Sequence, residues 1–420
     1  MEVEKQDELD NPIAVSGTWK RNIALFMGGQ AISLFGSSLV EFAIIWHITL
    51  ATKSASVMMI SILCNFIPRL LISLFSGVWA DRYSRRLLII LADGGIAFVT
   101  LLLAVAFLFG YQHLWLIFLI LAIRSVGTGI QTPAVNALIP QIVPAGYLLR
   151  INGINGSLQS FILLLAPAAS GALLTVLPLG YIFFIDIFTA IISILILSLL
   201  KIGHHLPPED RVAKHTGYLK DIYKGLAFAK ENIFVKEMLL IYAFHYFFIA
   251  PAAFLSPLFV ARVFGEEVWR LSVNEIVFSI GMMLGGLFIA RWKYSGSKIN
   301  VIAYACMVVG LTNLFLGLFS FPVFLVLTFI MGIAISISSS TEMALFQEKV
   351  ALHMQGRVFS LIQIVTTSVM PLAMLLFGPL GDIVNVEWLF AICGFLLILL
   401  GGYIYMNKRL RNAVEGESSG

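Results

Sequence analysis

A chain of 420 residues has room for two or three soluble domains, but 59% hydrophobic residues, 12% charged residues and a mean hydropathy of +0.95 exclude that class. The net charge of +4 comes from basic residues dispersed among loops, so no nucleic-acid surface forms and nucleic acid is not an expected partner. Cys64, Cys306 and Cys393 lie inside apolar runs with no metal or disulfide spacing, and no metal is expected.

The first 21 residues are polar and acidic-rich without an apolar signal core, and read as a cytoplasmic segment with no cleaved leader. Beyond them, runs of about 20 apolar residues read as bilayer-spanning helices. Twelve are predicted, near 22–50, 54–78, 87–109, 113–139, 152–176, 179–201, 233–262, 271–291, 299–320, 321–345, 357–383 and 386–406. The ninth and tenth join at Phe321-Pro322 with almost no loop. The expected fold is an all-α integral membrane protein of twelve helices in two pseudo-symmetric six-helix bundles, 22–201 and 233–406, with a cytoplasmic linker (202–232) and a cytoplasmic tail (407–420). Glu415–Gly420 read as disordered.

Between the second and third spans lies Gly77–Arg86, Gly-Val-Trp-Ala-Asp-Arg-Tyr-Ser-Arg-Arg, a short, strongly basic turn with one acid, Asp81. Cationic loops stay on the cytoplasmic side. With the N-terminus inside, 21 of the 27 Lys and Arg fall in cytoplasmic segments, three in outer loops (Lys53, Arg262, Arg270) and three in spans (Arg69, Arg124, Lys236). Both termini are therefore expected in the cytoplasm of a multi-pass protein of the cell membrane. In the linker, His204-His205 lack a further ligand at helical spacing and read as solvated. Tyr218–Lys230 reads as an amphipathic helix along the interface. A weak repeat supports two halves: Val143 with Arg150-Ile151 and Gly153-Ile154 recurs, 207 residues on, as Val350 with Arg357-Val358 and Ser360-Leu361.

Charges inside spans carry the chemistry, because each costs roughly 2.5–3.5 kcal/mol in the bilayer even on lenient scales. Five stand out: Glu41, Arg69, Asp93, Arg124 and Asp186. At about 1.5 Å per residue, Glu41 lies about 10 Å and Arg124 about 16 Å below the outer membrane face, within an arginine's reach of each other. Arg69 and Asp93 occupy one hairpin, so a pair is expected there, with a structural or gating role. Asp186 has no evident partner. Gln30, Ser33, Ser37 and Glu41 share one face of the first span; Arg124, Thr128 and Gln131 share one face of the fourth; Asn152, Asn155 and Gln159 share one face of the fifth. Such stripes face a cavity or another helix. Glu41 reads as a proton site, since a carboxylate in an apolar wall can hold a proton and release it when water or a cation arrives. Glu342 and Lys236-Glu237 read as snorkelling or solvated residues at span ends.

The pattern Gly-x-x-x-Asp-Arg-x-x-Arg-Arg at Gly77–Arg86 resembles the signature loop of the major facilitator superfamily. Within that family the chain is most similar to the drug–proton antiporter branch that holds the macrolide efflux proteins. Arg124-Ser-Val-Gly127-Thr-Gly129 resembles the family's Arg-x-x-x-Gly-x-Gly motif, and Gly356-Arg357-Val358-Phe359 and the acid Asp186 also match that branch. Ala166-Pro167-Ala168-Ala169-Ser170-Gly171 departs from the antiporter motif, which has Gly before the proline. The kink and close approach provided by Pro167 and Gly171 persist.

The resemblance implies a secondary exporter working by alternating access on a large amphiphilic compound, with proton coupling at Glu41 tuned by Arg124. It also implies gating through Gly77, Asp81, Arg82, Arg85 and Arg86, alongside Arg69, Asp93, Pro167 and Gly171. Those arginines would also hold anionic lipid headgroups. Gln30, Ser33, Ser37, Gln131, Asn155, Gln159, His245 and Tyr246 are the expected substrate cavity. The expected partners are a small-molecule substrate and membrane lipids, the state a monomer, and the energy source a proton gradient with no cofactor. An exporter of an endogenous solute such as a siderophore or lysolipid, and a non-transporting receptor, are the alternatives. No nucleophile–base pair or phosphate loop points to an enzyme.

Overall fold

The structure, a computed structural model, describes residues 19–200, 231–292 and 296–415. Among them are thirteen α-helices, twelve long and apolar enough to cross a membrane. In chain order they are α1 (Trp19–Thr52), α2 (Ala55–Arg82), α3 (Arg85–Leu108), α4 (Leu114–Ile142), α5 (Leu148–Val176), α6 (Leu179–Leu199), α7 (Ile233–Phe259), α8 (Val268–Arg291), α9 (Lys298–Phe315), α10 (Phe321–Lys349), α11 (Leu352–Ile383), α12 (Val386–Met406) and α13 (Lys408–Glu415). The expected interfacial helix, Tyr218–Lys230, and almost all of the expected linker lie outside the described residues.

Helix is the form these runs must take in lipid, because it satisfies every backbone N–H and C=O within the segment. The stops are local. Gly110 (φ 83°) follows α3, and Gly265 (φ 125°) closes a π-helical turn, Val260–Phe264, that extends α7. Glycine takes these left-handed dihedrals without steric cost. Phe75, Phe98, Phe188, Leu195 and Phe395 are each more than half exposed, as lipid-facing side chains should be.

Two expectations about connections are corrected. The basic stretch Gly77–Arg86 is not a ten-residue turn: α2 runs to Arg82 and α3 starts at Arg85, leaving Tyr83-Ser84 between them. Helix propensity and two overlapping capping bonds extend both helices past the apolar core, as Tyr83 N–H reaches Trp79 O (2.8 Å) and Leu88 N–H reaches Ser84 O (3.0 Å). Five residues separate α9 from α10, which opens at Phe321 with Pro322 in its first turn, a position where the missing N–H costs nothing. The tail from 407 begins as a helix: the Asn407 side chain accepts from the N–H groups of Arg409 and Leu410 (both 3.1 Å), and Leu410 is fully buried.

The described residues cluster into two compact units. The first takes α1 up to Ala51 and runs from Ile60 to the end of α6; the second takes Thr52–Met59 and everything described from 231 onward. In the first, α3 packs on α4 and α6. A core of Trp19, Phe26, Ile89, Leu138, Ile139 and Leu197 fills the end that carries the basic α2–α3 turn. In the second, α9 packs on α10 and α12, α8 on α10, and α7 on α11 and α12. The α9–α12 contact is a glycine seam. A Cβ on Gly310 would lie 2.7 Å from Gly394 O, and one on Gly394 would lie 2.6 Å from Gly310 O. Such small residues let membrane helices approach through their backbones.

Candidate functional site

The first unit contains two stacked polar layers, each built from one side chain of α1, α3, α4 and α6. In the first layer Arg124 of α4 forms a buried ion pair with Asp186 of α6 and donates to the Thr100 hydroxyl of α3. Ser37 of α1 donates to the other Asp186 oxygen at 2.7 Å. In the second layer Asp93 of α3 accepts from Gln131 of α4 and from Ser193 of α6 (3.4 Å). Gln30 of α1 closes the ring, donating to Ser193 (3.2 Å) and accepting from Gln131 (3.4 Å). Each helix contributes twice at a spacing of seven residues: Gln30 and Ser37, Asp93 and Thr100, Arg124 and Gln131, Asp186 and Ser193. Seven residues are two turns, about 10 Å, so the layers lie one above the other.

This geometry corrects two expected pairings. Arg124 does not bridge to Glu41, and Asp186 is its partner; their side chains are 8% and 0% exposed. Arg69 and Asp93 do not pair. Asp93 is turned into the α1–α4–α6 ring, while Arg69 is exposed and binds the Ser125 hydroxyl through its backbone N–H (2.9 Å). Gln30, Ser37 and Gln131, expected to line a cavity, are held within these layers, and Ser33 is buried. The small residues of the Arg-x-x-Gly-x-Gly run explain how α4 settles between α2 and α3. A Cβ on Gly127 would meet Ile96 at 2.6 Å, and one on Gly129 would lie 2.9 Å from Arg69 O.

Glu41 stands apart from both layers. It is half-buried on α1, accepts a hydrogen bond from the Asn65 amide of α2, and has Arg124 and Arg69 within electrostatic range. Its one hydrogen-bond partner among the described residues is neutral, so the carboxyl can serve as acceptor when ionised and can carry a proton when that bond turns over.

Among the expected gating residues, Arg85 donates to Ala80 O (3.1 Å) and Ala137 O (2.7 Å), and Arg86 donates to Ser198 O. These bonds tie α3 to the ends of α2, α4 and α6. Arg82 is exposed, and Gly77 has open space where a Cβ would stand. Pro167 and Gly171 are buried on an unbroken α5, and Ser170 between them has a buried hydroxyl without a partner. On the same helix Asn155 is half-buried and Gln159 exposed.

In the second unit Asp382, at the end of α11, clasps the α1–α2 turn. It accepts from the Ser54 hydroxyl (2.9 Å), from Ala55 N–H (2.7 Å) and from Ser56 N–H (2.9 Å), the free donors that open α2. Arg262 completes the clasp, pairing with Asp382 at 3.0 Å and donating to Lys53 O and Gly381 O. Lys53 sits at φ 49°, a conformation this web of bonds holds in place.

Two acids of this unit differ from the sequence reading. Glu342 is not a span-end residue: it lies seven residues inside α10, half-buried, and accepts from Ser338 at 2.6 Å. Glu275 of α8, which the sequence reading passed over, is half-buried and makes no hydrogen bond or ion pair among the described residues. Its signal was available, an acid eight residues into a helix long and apolar enough to cross a membrane. His245 and Tyr246 are half-buried on α7, His245 beside the Cys306 thiol (3.7 Å).

The model of the family described as Major Facilitator Superfamily matches residues 26–374. Macrolide efflux protein A of Streptococcus pyogenes is 31% identical over 399 residues, covering 94% of this chain and 97% of the relative. A protein of the same name from Enterococcus faecalis is 32% identical over 334 residues, covering 78% of this chain and 99% of the relative. Among solved structures, a bacterial homologue of the iron transporter ferroportin, in an inward-facing state, matches with a TM-score of 0.71 at 14% identity, over 92% of this chain and 99% of that one. At that identity the likeness is one of fold.

Proposed function

The chain belongs to the Major Facilitator Superfamily, and from that premise we propose that it is a secondary exporter of macrolide-like amphiphilic compounds, driven by protons through alternating access. The similarity to Macrolide efflux protein A over nearly the whole chain supports the substrate class. The observation that carries the coupling is Glu41, a membrane-embedded carboxyl with one neutral hydrogen-bond partner. Asn65 donates to the ionised form. Arg124, held in its ion pair with Asp186, stands within electrostatic range of that carboxyl. The excess of Lys and Arg in segments on one side supports placing both termini in the cytoplasm. One inward proton contributes about 2.3 kcal/mol per 100 mV, enough for roughly a 50-fold gradient of a neutral solute.

The test is accumulation of a labelled macrolide in cells that express the protein or Glu41→Gln, each with and without a protonophore. Wild type lowers accumulation, and the protonophore and the substitution each abolish that effect while the variant still reaches the membrane. Unchanged accumulation of macrolides by wild type overturns the substrate class and moves an endogenous solute to the front. Export that persists in Glu41→Gln but stops with the protonophore moves the proton site elsewhere.

A further inference from the structure

The second unit holds a half-buried polar cluster that the coupling scheme leaves unused. Tyr242 and Tyr246 lie one turn apart on α7 with stacked rings, centroids 6.0 Å apart and interplanar angle 15°. Glu342 of α10 is their neighbour: the Tyr242 ring meets Phe346, one turn on from Glu342, with centroids 6.0 Å apart, and the Ser338 hydroxyl donates to the Glu342 carboxylate at 2.6 Å. His245 sits edge-on to Tyr246 (5.8 Å, 76°), with the Cys306 thiol behind it.

Three properties of the cluster are chemical instructions. First, no lysine or arginine pairs with Glu342 among the described residues, and the hydrogen bond it accepts comes from the neutral Ser338 hydroxyl. Second, Glu342 lies about 10 Å inside α10 and Tyr242 about 14 Å inside α7, from the ends that meet at one membrane face. A carboxyl on a membrane-spanning helix turns its open side to water or a ligand rather than to lipid, and Glu342 is half-exposed. Third, among the described residues no group of three His, Cys, Asp or Glu side chains is placed to hold a metal ion. A bare carboxylate beside two tyrosine rings instead suits an ammonium group, which pairs with the oxygen and lies over a ring face within about 6 Å.

We propose that Glu342, Tyr242 and Tyr246 form the subsite that receives the positively charged amine of the transported compound. The inference rests on the proposed export function and narrows its substrates to amphiphiles that carry a protonated amine. The carboxylate supplies the counter-charge, the tyrosine rings replace hydration of the ammonium's methyl groups, and the Ser338 hydroxyl holds the carboxylate in place.

The experiment is equilibrium binding to the purified full-length protein in lipid nanodiscs. The probes are a labelled macrolide whose amino sugar carries a tertiary amine and the same macrolide with that amine demethylated and acylated, hence uncharged. Wild type binds the charged form at least about tenfold more tightly, which is about 1.4 kcal/mol. Glu342→Gln removes the preference and leaves the affinity for the uncharged form within about twofold; Glu342→Asp retains it; Tyr246→Leu, which keeps the carboxylate, reduces it. Should Glu342→Gln fail to reach the membrane, Tyr246→Leu alone reads the ring contribution. A preference that survives Glu342→Gln, or that Tyr246→Leu leaves undiminished, overturns the site. So does equal binding of both forms by a wild type that exports the macrolide from cells, and that outcome leaves the export function standing. A wild type that neither exports nor binds either form overturns both.

Discussion

Asp186→Asn keeps the size of the side chain and removes its charge from the most buried ion pair of the first unit. Arg124 and Asp186 are 8% and 0% exposed at the side chain, so water cannot compensate the guanidinium once its partner is neutral. Removing one member of such a pair costs about 3–5 kcal/mol, most of it the penalty of leaving the other charge buried. The loss falls at the low end here, because the asparagine oxygen still accepts from Arg124 or from Ser37. Replacing both partners with apolar residues, Arg124→Met with Asp186→Leu, removes the stranded charge, and its net cost is within about 2 kcal/mol of wild type. The assay is thermal denaturation of the detergent-solubilised protein for wild type, Asp186→Asn, the singles Arg124→Met and Asp186→Leu, and the double. At about 2–4 °C per kcal/mol for a unit of this size, Asp186→Asn lowers Tm by about 10 °C and the double variant recovers at least about a third of that loss. An Asp186→Asn protein that melts with wild type refutes the argument, as does a double variant whose loss equals the sum of the singles. Either result means that the pair is not a buried, mutually dependent contact.

Two further outcomes follow from close contacts in the second unit. Gly394→Val forces a side chain into the Gly310 backbone, costing about 1–3 kcal/mol or more in a packed interface, whereas Gly95→Ala in the first unit, with nothing within 4 Å of its would-be Cβ, is tolerated; thermal stability of the two variants reads the contrast. Asp382→Ala releases the Ala55 and Ser56 amides and unpairs Arg262. Hydrogen bonds to a charged acceptor are each worth about 1.5–3 kcal/mol, discounted here because Asp382 is 28% exposed. Amide hydrogen exchange at Ala55 and Ser56 accelerates by at least about tenfold, and unchanged protection at both sites contradicts the clasp.

The twelve spans were legible because lipid makes a long apolar run unambiguous, and the polar stripes on α1 and α4 correctly marked which faces turn away from lipid. What a single stripe does not encode is the neighbouring helix. Arg124 and Glu41 match in depth, but depth leaves rotation about the helix axes free, and Arg124 turns to Asp186 of α6. The seven-residue spacing shared by α1, α3, α4 and α6 was present in the sequence, and aligning Asp93 and Thr100 with Asp186 and Ser193 would have exposed both layers. Arg69 escaped for another reason: it shares a hairpin with Asp93, yet Asp93 satisfies its oxygens with Gln131 and Ser193. Glu342 was misplaced because α10 continues to Lys349, beyond the end of the apolar run, which moves the acid from the interface into the helix body. The Asp382 clasp joins residues more than 320 positions apart and left no local pattern to find.

The most direct test of proton-coupled export is flux of a labelled macrolide in proteoliposomes of known protein orientation under an imposed pH gradient, comparing wild type with Glu41→Gln. Wild type moves the macrolide against its gradient only when protons can run the other way, and Glu41→Gln retains passive exchange but loses that coupled movement. Uphill flux by Glu41→Gln at the wild-type rate, or wild-type flux indifferent to the pH gradient, contradicts the account.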